Sequence, residues 1–270
     1  MNLLLEILRV EPGDRPGLEQ RDPAARPPGL DKAGGVARLA ELSERLGVLQ
    51  ARLAAEASRA VLLVLQGMDA SGKDGTIRHV FANVNPQGVR VVPLSAPTET
   101  ELDHDYLWRV HAACPARGEL GIFNRSHYED VVAARVRGLV PDDVWRRRYA
   151  HIREFERLLV DEGTTVVKVF LHLSREEQRK ELQERIDDPE KRWKFQLGDL
   201  DDRKRWPEFM DAYEEAIEET STEWAPWYVV PADRNWVRNL AVGEILVHVL
   251  ERLNPQLPPP DPALDGIRVT

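Results

Sequence analysis

The sequence predicts an α/β protein, a three-layer sandwich in which a five-stranded parallel sheet carries helices on both faces. Three observations support this. Short apolar runs alternate with helix-patterned segments along most of the chain, the arrangement that builds parallel β-α-β units. The chain has 270 residues, 42% of them hydrophobic and 31% charged, enough for one large buried core. A glycine-rich turn, Gly67 to Lys73, stands between an apolar run and a helical segment. In such a sheet the binding crevice opens at the carboxyl ends of the strands.

The elements follow in order. Residues 1–35 read as an N-terminal arm, and its stretch 11–35, rich in Pro, Gly, Asp and Arg, as extended chain lying on the body of the fold. From Val36 to Arg59, Leu39, Leu42, Leu46, Leu49 and Leu53 recur at spacings of three and four, one face of an amphipathic helix. Val61 to Gln66 is a continuous apolar run suited to a strand buried on both faces. A helix follows the loop, from Asp74 to Asn83. Val89 to Pro93 is the second strand, Leu102 to Ala113 a helix, and Leu120 to Phe123 the third strand, running into Asn124–Asp130 and another helix. Pro141 suits the first turn of the next helix, which Gly163 ends. Thr165 to Leu173 is the fourth strand.

Residues 174–205 are mostly charged and read as a lid: an exposed helix, a loop, and the start of a second helix that continues through 206–219. Trp227 to Val230 is the fifth strand and Trp236 to Leu253 the last helix. Residues 36–253 then form a single domain, followed by a Pro-rich tail at 254–270. No internal repeat is visible.

Composition excludes several classes. A net charge of −9 argues against a general nucleic-acid binder. One cysteine, Cys114, leaves no disulfide framework or cysteine metal site within the chain. The opening MNLLLEILRV lacks the basic start of a secretion signal, and no apolar run reaches the roughly 20 residues that span a bilayer. The expected location is the cytoplasm, with no membrane partner.

Gly67-Met68-Asp69-Ala70-Ser71-Gly72-Lys73 fits G-x-x-x-x-G-K, a loop that grips phosphate. A buried strand delivers the chain into a turn whose backbone N–H groups converge. The next helix aims its positive end at the same point. Gly67, Ala70, Ser71, Gly72, Asp74, Gly75 and Thr76 supply the cradle, and Lys73 a full charge that can follow a transferring phosphoryl group. Asp74 stands where Ser or Thr usually binds Mg²⁺, and Asp69 lies inside the loop. A carboxylate there repels phosphate unless a cation intervenes, so Asp69 reads as a magnesium ligand; the alternative is a helix cap.

After the third strand, Arg125 is a candidate to neutralise charge on the transferring group. Glu129 lies one helical turn further on. The alternative is a plain helix start with Ser126 as its cap. Arg185, Lys191, Arg192, Lys194 and Arg203 form a basic lid, or else a solvated face. Position favours a lid, because phosphoryl-transfer enzymes close such inserts to exclude water.

GMDASGKDGTIRHV, NVNPQG, ELDHDYLWRVH, IFNRSHYEDV, DDPEKRWKFQLGDL and STEWAPWYVVPAD together resemble the polyphosphate kinase 2 family, from about Leu8 to Leu253. The resemblance implies a P-loop kinase-like fold, similar to thymidylate kinase. It implies inorganic polyphosphate as donor and an adenine nucleotide (guanine is the alternative) as acceptor. It also implies Mg²⁺ (or Mn²⁺) as cofactor and a homo-oligomer, dimer or tetramer. Asp69, Lys73, Arg125, Glu129 and Arg185 match the catalytic set, and Asp69, Asn124, Arg125 and Glu129 the nucleotide side. Lys73, Arg78, Lys191, Arg192, Lys194 and Arg203 would line the polyphosphate path. Many members have aspartate where this chain has Asn124, which leaves Asp69 as the metal ligand. The His127-Tyr128-Glu129-Asp130 version resembles the class that phosphorylates both AMP and ADP. The rival readings are an ATP-dependent P-loop kinase and a nucleotide-binding switch protein.

Overall fold

Six strands build one sheet among the described residues, 3–269, of the computed structural model. Residues 1, 2 and 270, the extreme ends of the expected arm and tail, lie outside that range. The strands are β1 (Arg9–Val10), β2 (Ala60–Gln66), β3 (Val89–Pro93), β4 (Leu120–Asn124), β5 (Thr164–His172) and β6 (Trp227–Pro231), and their spatial order is β1-β6-β5-β2-β4-β3. Every residue of β2 is buried. An aliphatic run with no polar face has to sit centrally, with a layer on each side. β2 accordingly pairs in parallel with both β4 and β5.

The two faces of β2 alternate strictly. Leu62 and Val64 join a core with Trp145, Ile152 and Phe155 of the helix Asp142–Asp161 and Phe209, Tyr213 and Ile217 of the helix Trp206–Thr220. Val61, Leu63 and Leu65 face Leu46, Leu49 and Leu53 of the helix Lys32–Glu56 and Val242, Ile245 and Leu246 of the helix Asn235–Leu253. At about 1.5–3 kcal/mol for each large apolar side chain removed from water, these two cores dominate stability.

Six strands replace the five expected. The extra one, β1, is a two-residue edge that pairs antiparallel with β6, Arg9 opposite Tyr228 and Val10 opposite Trp227. Two residues are too few for an alternating pattern to announce a strand. The arm beyond it is tied down: the N–H groups of Gly17 and Leu18 donate to the Glu214 carboxylate at 2.9 and 2.8 Å, and Leu18 is buried.

Some boundaries move. The first long helix begins at Lys32, inside the expected arm, because Asp31 caps it by accepting from the Gly34 N–H. Leu102–Ala113 is not one helix; Glu99–Leu102 and Trp108–Ala113 flank an irregular turn. The helix expected after Asn124 is a 3₁₀ turn, His127–Asp130, and a short helix, Ala133–Val136. The helix of 206–219 does not continue the lid. The lid helices Arg175–Asp187 and Leu197–Lys204 end before Arg205, and Trp206–Thr220 starts afresh with Pro207 in its first turn. Proline fits there, where its missing N–H had no partner to lose, and would break a continuous helix.

β2 and β4 are neighbours, and the connections that follow them, β2 to β3 and β4 to β5, run toward opposite edges of the sheet. That reversal opens a crevice at the carboxyl ends of β2 and β4.

Candidate active site

β2 ends at Gln66 and the chain enters the loop at Gly67, whose φ is 151°. Ala70 and Gly72 take left-handed conformations, with φ of 65° and 89°. The helix Lys73–Val80 begins directly after Gly72. Its first N–H groups have no intrahelical partner and point into the crevice with the positive end of the helix dipole.

Lys73 is folded back into the loop. Its Nζ donates to the Gly67 and Met68 carbonyls at 2.8 and 3.2 Å and to Ser71 Oγ at 3.4 Å. Burial above all, with repulsion from Arg125, lowers its pKa to about 8, against the attraction of Asp69, Glu129 and Asp74. The sequence expected this lysine beside a phosphate. Here its ammonium is held by the loop's own carbonyl groups.

Arg125 leaves β4 in a left-handed conformation, φ 64°, with its N–H bonded to the Leu65 carbonyl of β2 at 3.1 Å. For a residue other than glycine this backbone costs on the order of 1–3 kcal/mol, and such strain gathers at functional sites. The turn aims the guanidinium back across the crevice, where it pairs with Asp69. Glu129 Oε2 lies 3.8 Å from the same guanidinium. Burial works to lower the Arg125 pKa, but Asp69 and Glu129 outweigh it and the value is raised. The Gln66 amide is satisfied on both sides only when its nitrogen donates to Glu129 Oε1 at 3.1 Å and its oxygen accepts from Ser126 Oγ at 3.1 Å.

A cleft of about 630 Å³ runs over the loop. From the loop and its helix it is lined by Asp69, Ala70, Gly72, Lys73, Asp74, Gly75 and Arg78. Asn124 and Arg125 reach it from β4, and Arg185, Lys191 and Lys194 from the lid. Gly67, Ser71 and Thr76 lie beneath this lining and hold its shape; the Thr76 hydroxyl, for example, bonds Asn239 Oδ1 at 3.4 Å. Glu129 stands behind Arg125, outside the lining. Arg192 and Arg203 are outside it too, because their guanidinium groups are taken by backbone. Arg192 Nε donates to the Ile186 carbonyl at 2.9 Å, and Arg203 Nη1 to the Arg175 carbonyl at 2.6 Å.

Asn124 donates from Nδ2 to Asp74 Oδ1 at 2.7 Å. The strand-end amide therefore binds the residue that follows the loop lysine. Among the described residues no three His, Cys, Asp or Glu side chains are grouped to hold a metal by themselves. Asp69, inside the loop and paired with Arg125, is the carboxylate that could hold an ion shared with bound phosphates.

Three residues of this site carry no local signal in the sequence. Asp199, from the second lid helix, faces Arg185 at 3.9 Å; burial first, then repulsion from Asp69, raises its pKa. Gln178 of the first lid helix donates to the Asp69 carbonyl at 3.0 Å. Arg238, from the first turns of the last helix, donates to the Ser71 carbonyl at 3.2 Å.

Comparisons with known proteins agree with this geometry. The AMP/ADP-polyphosphate phosphotransferase of Meiothermus ruber is 58% identical over 262 residues, covering 96% of this chain and 97% of that protein. The ADP-polyphosphate phosphotransferase of Rhodopseudomonas palustris is 47% identical over 232 residues, 82% of this chain and 80% of the relative. The crystal structure of polyphosphate kinase 2 from Arthrobacter aurescens TC1 superposes with a TM-score of 0.91 at 44% identity, covering 96% of this chain and 92% of that one. The sequence model described as polyphosphate kinase 2 matches residues 29–258. With loop, crevice and lid all inside that span, the chain belongs to the polyphosphate kinase 2 family.

Proposed function

We infer that this chain is a polyphosphate:nucleotide phosphotransferase, moving the terminal phosphoryl group of inorganic polyphosphate to AMP and ADP to give ADP and ATP, reversibly. The observation that carries this reading is the relative named for both AMP and ADP, similar across nearly the full length of both chains. The cleft supports it: Lys73, Arg78, Arg125, Arg185, Lys191 and Lys194 converge on the mouth of one phosphate loop in a chain of net charge −9. Positive charge is concentrated where a polyanion would lie.

In the proposed arrangement the donor's terminal phosphate sits on the loop N–H groups. Lys73 turns from the Gly67 and Met68 carbonyls to that phosphate, and Arg125 exchanges part of its pairing with Asp69 for the transferring oxygens. Mg²⁺ shared between Asp69 and the phosphates would offset their charge. The acceptor phosphate oxygen is already a nucleophile at neutral pH, so positioning and electrostatics account for most of the rate. Residues 174–205 act as the lid, which excludes water from the transferring group. No helix of the described residues is long and apolar enough to cross a membrane. We place the reaction in the cytoplasm with the nucleotide pool, in a homo-oligomer.

The test is to mix purified protein, Mg²⁺, polyphosphate and AMP without ATP and follow the nucleotides by chromatography. ADP appears first, then ATP. No product with polyphosphate, together with ADP formation when ATP is the donor, would identify an ordinary nucleotide kinase instead.

A further inference from the structure

Arg238 is 4% exposed, yet the described residues place no carboxylate within ion-pair distance of it. Buried guanidinium groups ordinarily have an anionic partner. Here Nη1 donates to two neutral oxygens, the Ser71 carbonyl at 3.2 Å and Asn235 Oδ1 at 2.9 Å. Nε donates to a third, Asn239 Oδ1, at 3.2 Å. Nη2 makes no hydrogen bond among the described residues and lies against the first turn of the loop helix. A Cβ added to Gly72 would stand 2.8 Å from it, and one added to Gly75 3.2 Å. The two missing side chains leave room for the guanidinium and for whatever it faces.

The charge is also at the unfavourable end of its own helix. Arg238 follows the N-cap Arg234 by four residues, whereas cations stabilise helix C-termini. Two positive helix ends and a guanidinium therefore meet beside one loop. Burial lowers the proton affinity of Arg238, to a pKa of about 10, and Glu181 of the first lid helix, the acid whose charge reaches it, restores only part. Arg238 and Glu181 both line the cleft that holds Lys73 and Arg78.

We propose that Arg238 is a further donor-binding residue, its Nη2 taking an oxygen of a non-transferring phosphate in the polyphosphate chain as the donor passes the first turn of the loop helix. Glu181 reaches Arg238 only through its charge, without an ion pair, and so leaves Nη2 open to the phosphate. This rests on polyphosphate being the donor.

The test uses the full-length protein and measures polyphosphate binding across a range of salt concentrations, without nucleotide. Binding of a polyanion weakens with salt in proportion to the phosphates neutralised. Arg238→Met should weaken binding about tenfold or more and make the salt dependence shallower. Arg238→Lys, which keeps the charge but loses the three neutral hydrogen bonds, should keep the wild-type salt slope. KM for AMP should stay within about twofold in both. If Arg238 merely clips the loop through Ser71, both variants weaken alike with the wild-type slope, and the proposal fails. Should Arg238→Met not fold, a lysine variant with a shallower slope than wild type overturns it equally. A wild-type protein that binds no polyphosphate would instead reject the donor assignment on which the proposal rests.

Discussion

Asp69 and Arg125 form an ion pair across the crevice, joining the inside of the phosphate loop to the first residue after β4. In the proposed reaction each gives up part of this pairing, Arg125 to the transferring phosphoryl group and Asp69 to the shared ion. Arg125 is also fixed by its bond to the Leu65 carbonyl and by its left-handed backbone, so its fork has one aim.

Arg125→Ala should lower kcat by on the order of 10³-fold or more, the range found for arginines that neutralise a transferring phosphoryl group. Arg125→Lys should recover little, since an ammonium cannot replace the planar fork. Steady-state kinetics on protein with an unchanged far-UV spectrum checks this. A rate within tenfold of wild type in the alanine variant removes Arg125 from the chemistry.

Lys73 gives the site a pH dependence. Its folded-state pKa is lowered from 10.5 to about 8 by burial first and Arg125 second. A lowered lysine pKa means the buried charge destabilises the empty protein below pH 8, and that penalty fades as pH rises toward 10.5. An anion on the loop has the opposite preference and pulls the proton back. Donor binding should therefore take up protons between about pH 8 and 10.5, and affinity should fall as pH rises through that window. Titration calorimetry at pH 8.5, in two buffers with different ionisation heats, measures the uptake. Uptake that persists in Lys73→Met would assign the proton to another group.

In the proposed reaction Glu129 acts through its neighbours. It lies 3.8 Å from Arg125 and takes the Gln66 amide, while standing outside the cleft lining. Glu129→Asn should release Arg125 on one side and shift the ratio of AMP to ADP turnover on the order of fivefold, about 1 kcal/mol, the upper range for a partly exposed ion pair. Side-by-side kcat/KM values for the two acceptors decide it, and an unchanged ratio ends the claim that Glu129 sets acceptor choice.

What the sequence revealed and what it hid have one physical cause. The loop was legible because Gly67 to Lys73 is contiguous and its geometry is local: a strand, a turn, a helix. Arg125 was legible because it directly follows a recognisable strand. Arg238 was not, since it meets Ser71 from 167 positions away and only the packing of the last helix brings it there. Asp199 was hidden likewise among the other acids of the lid. Lys191 and Arg192 are adjacent in sequence, yet only Lys191 lines the cleft, because the short 3₁₀ turn at Arg192–Lys194 directs Arg192 to the Ile186 carbonyl. A charge run announces a basic segment without saying which of its side chains face inward. Pro207, by contrast, is a break in the helix pattern that is readable in the sequence itself.

Lys168 shows the same limit in the core. It interrupts the apolar run of β5 and is fully buried, with Nζ donating to Glu156 Oε2 at 2.6 Å, the Thr220 carbonyl at 2.6 Å and the Tyr128 hydroxyl at 3.1 Å. All three protons of the ammonium are used. Glu156 in turn accepts from the Tyr128 hydroxyl at 2.8 Å, and Tyr128 lies in the turn that carries Glu129. Removing one partner strands a charge in the core, so Lys168→Met or Glu156→Leu alone should cost about 3–5 kcal/mol. Replacing both by apolar groups of similar volume removes the stranded charge, and Lys168→Met/Glu156→Leu should recover most of that loss. Urea denaturation of the two single variants and the double variant measures the coupling directly. A double variant as unstable as the sum of the singles would mean that the two charges do not depend on each other and that the packing around them, not the pair, holds this region together.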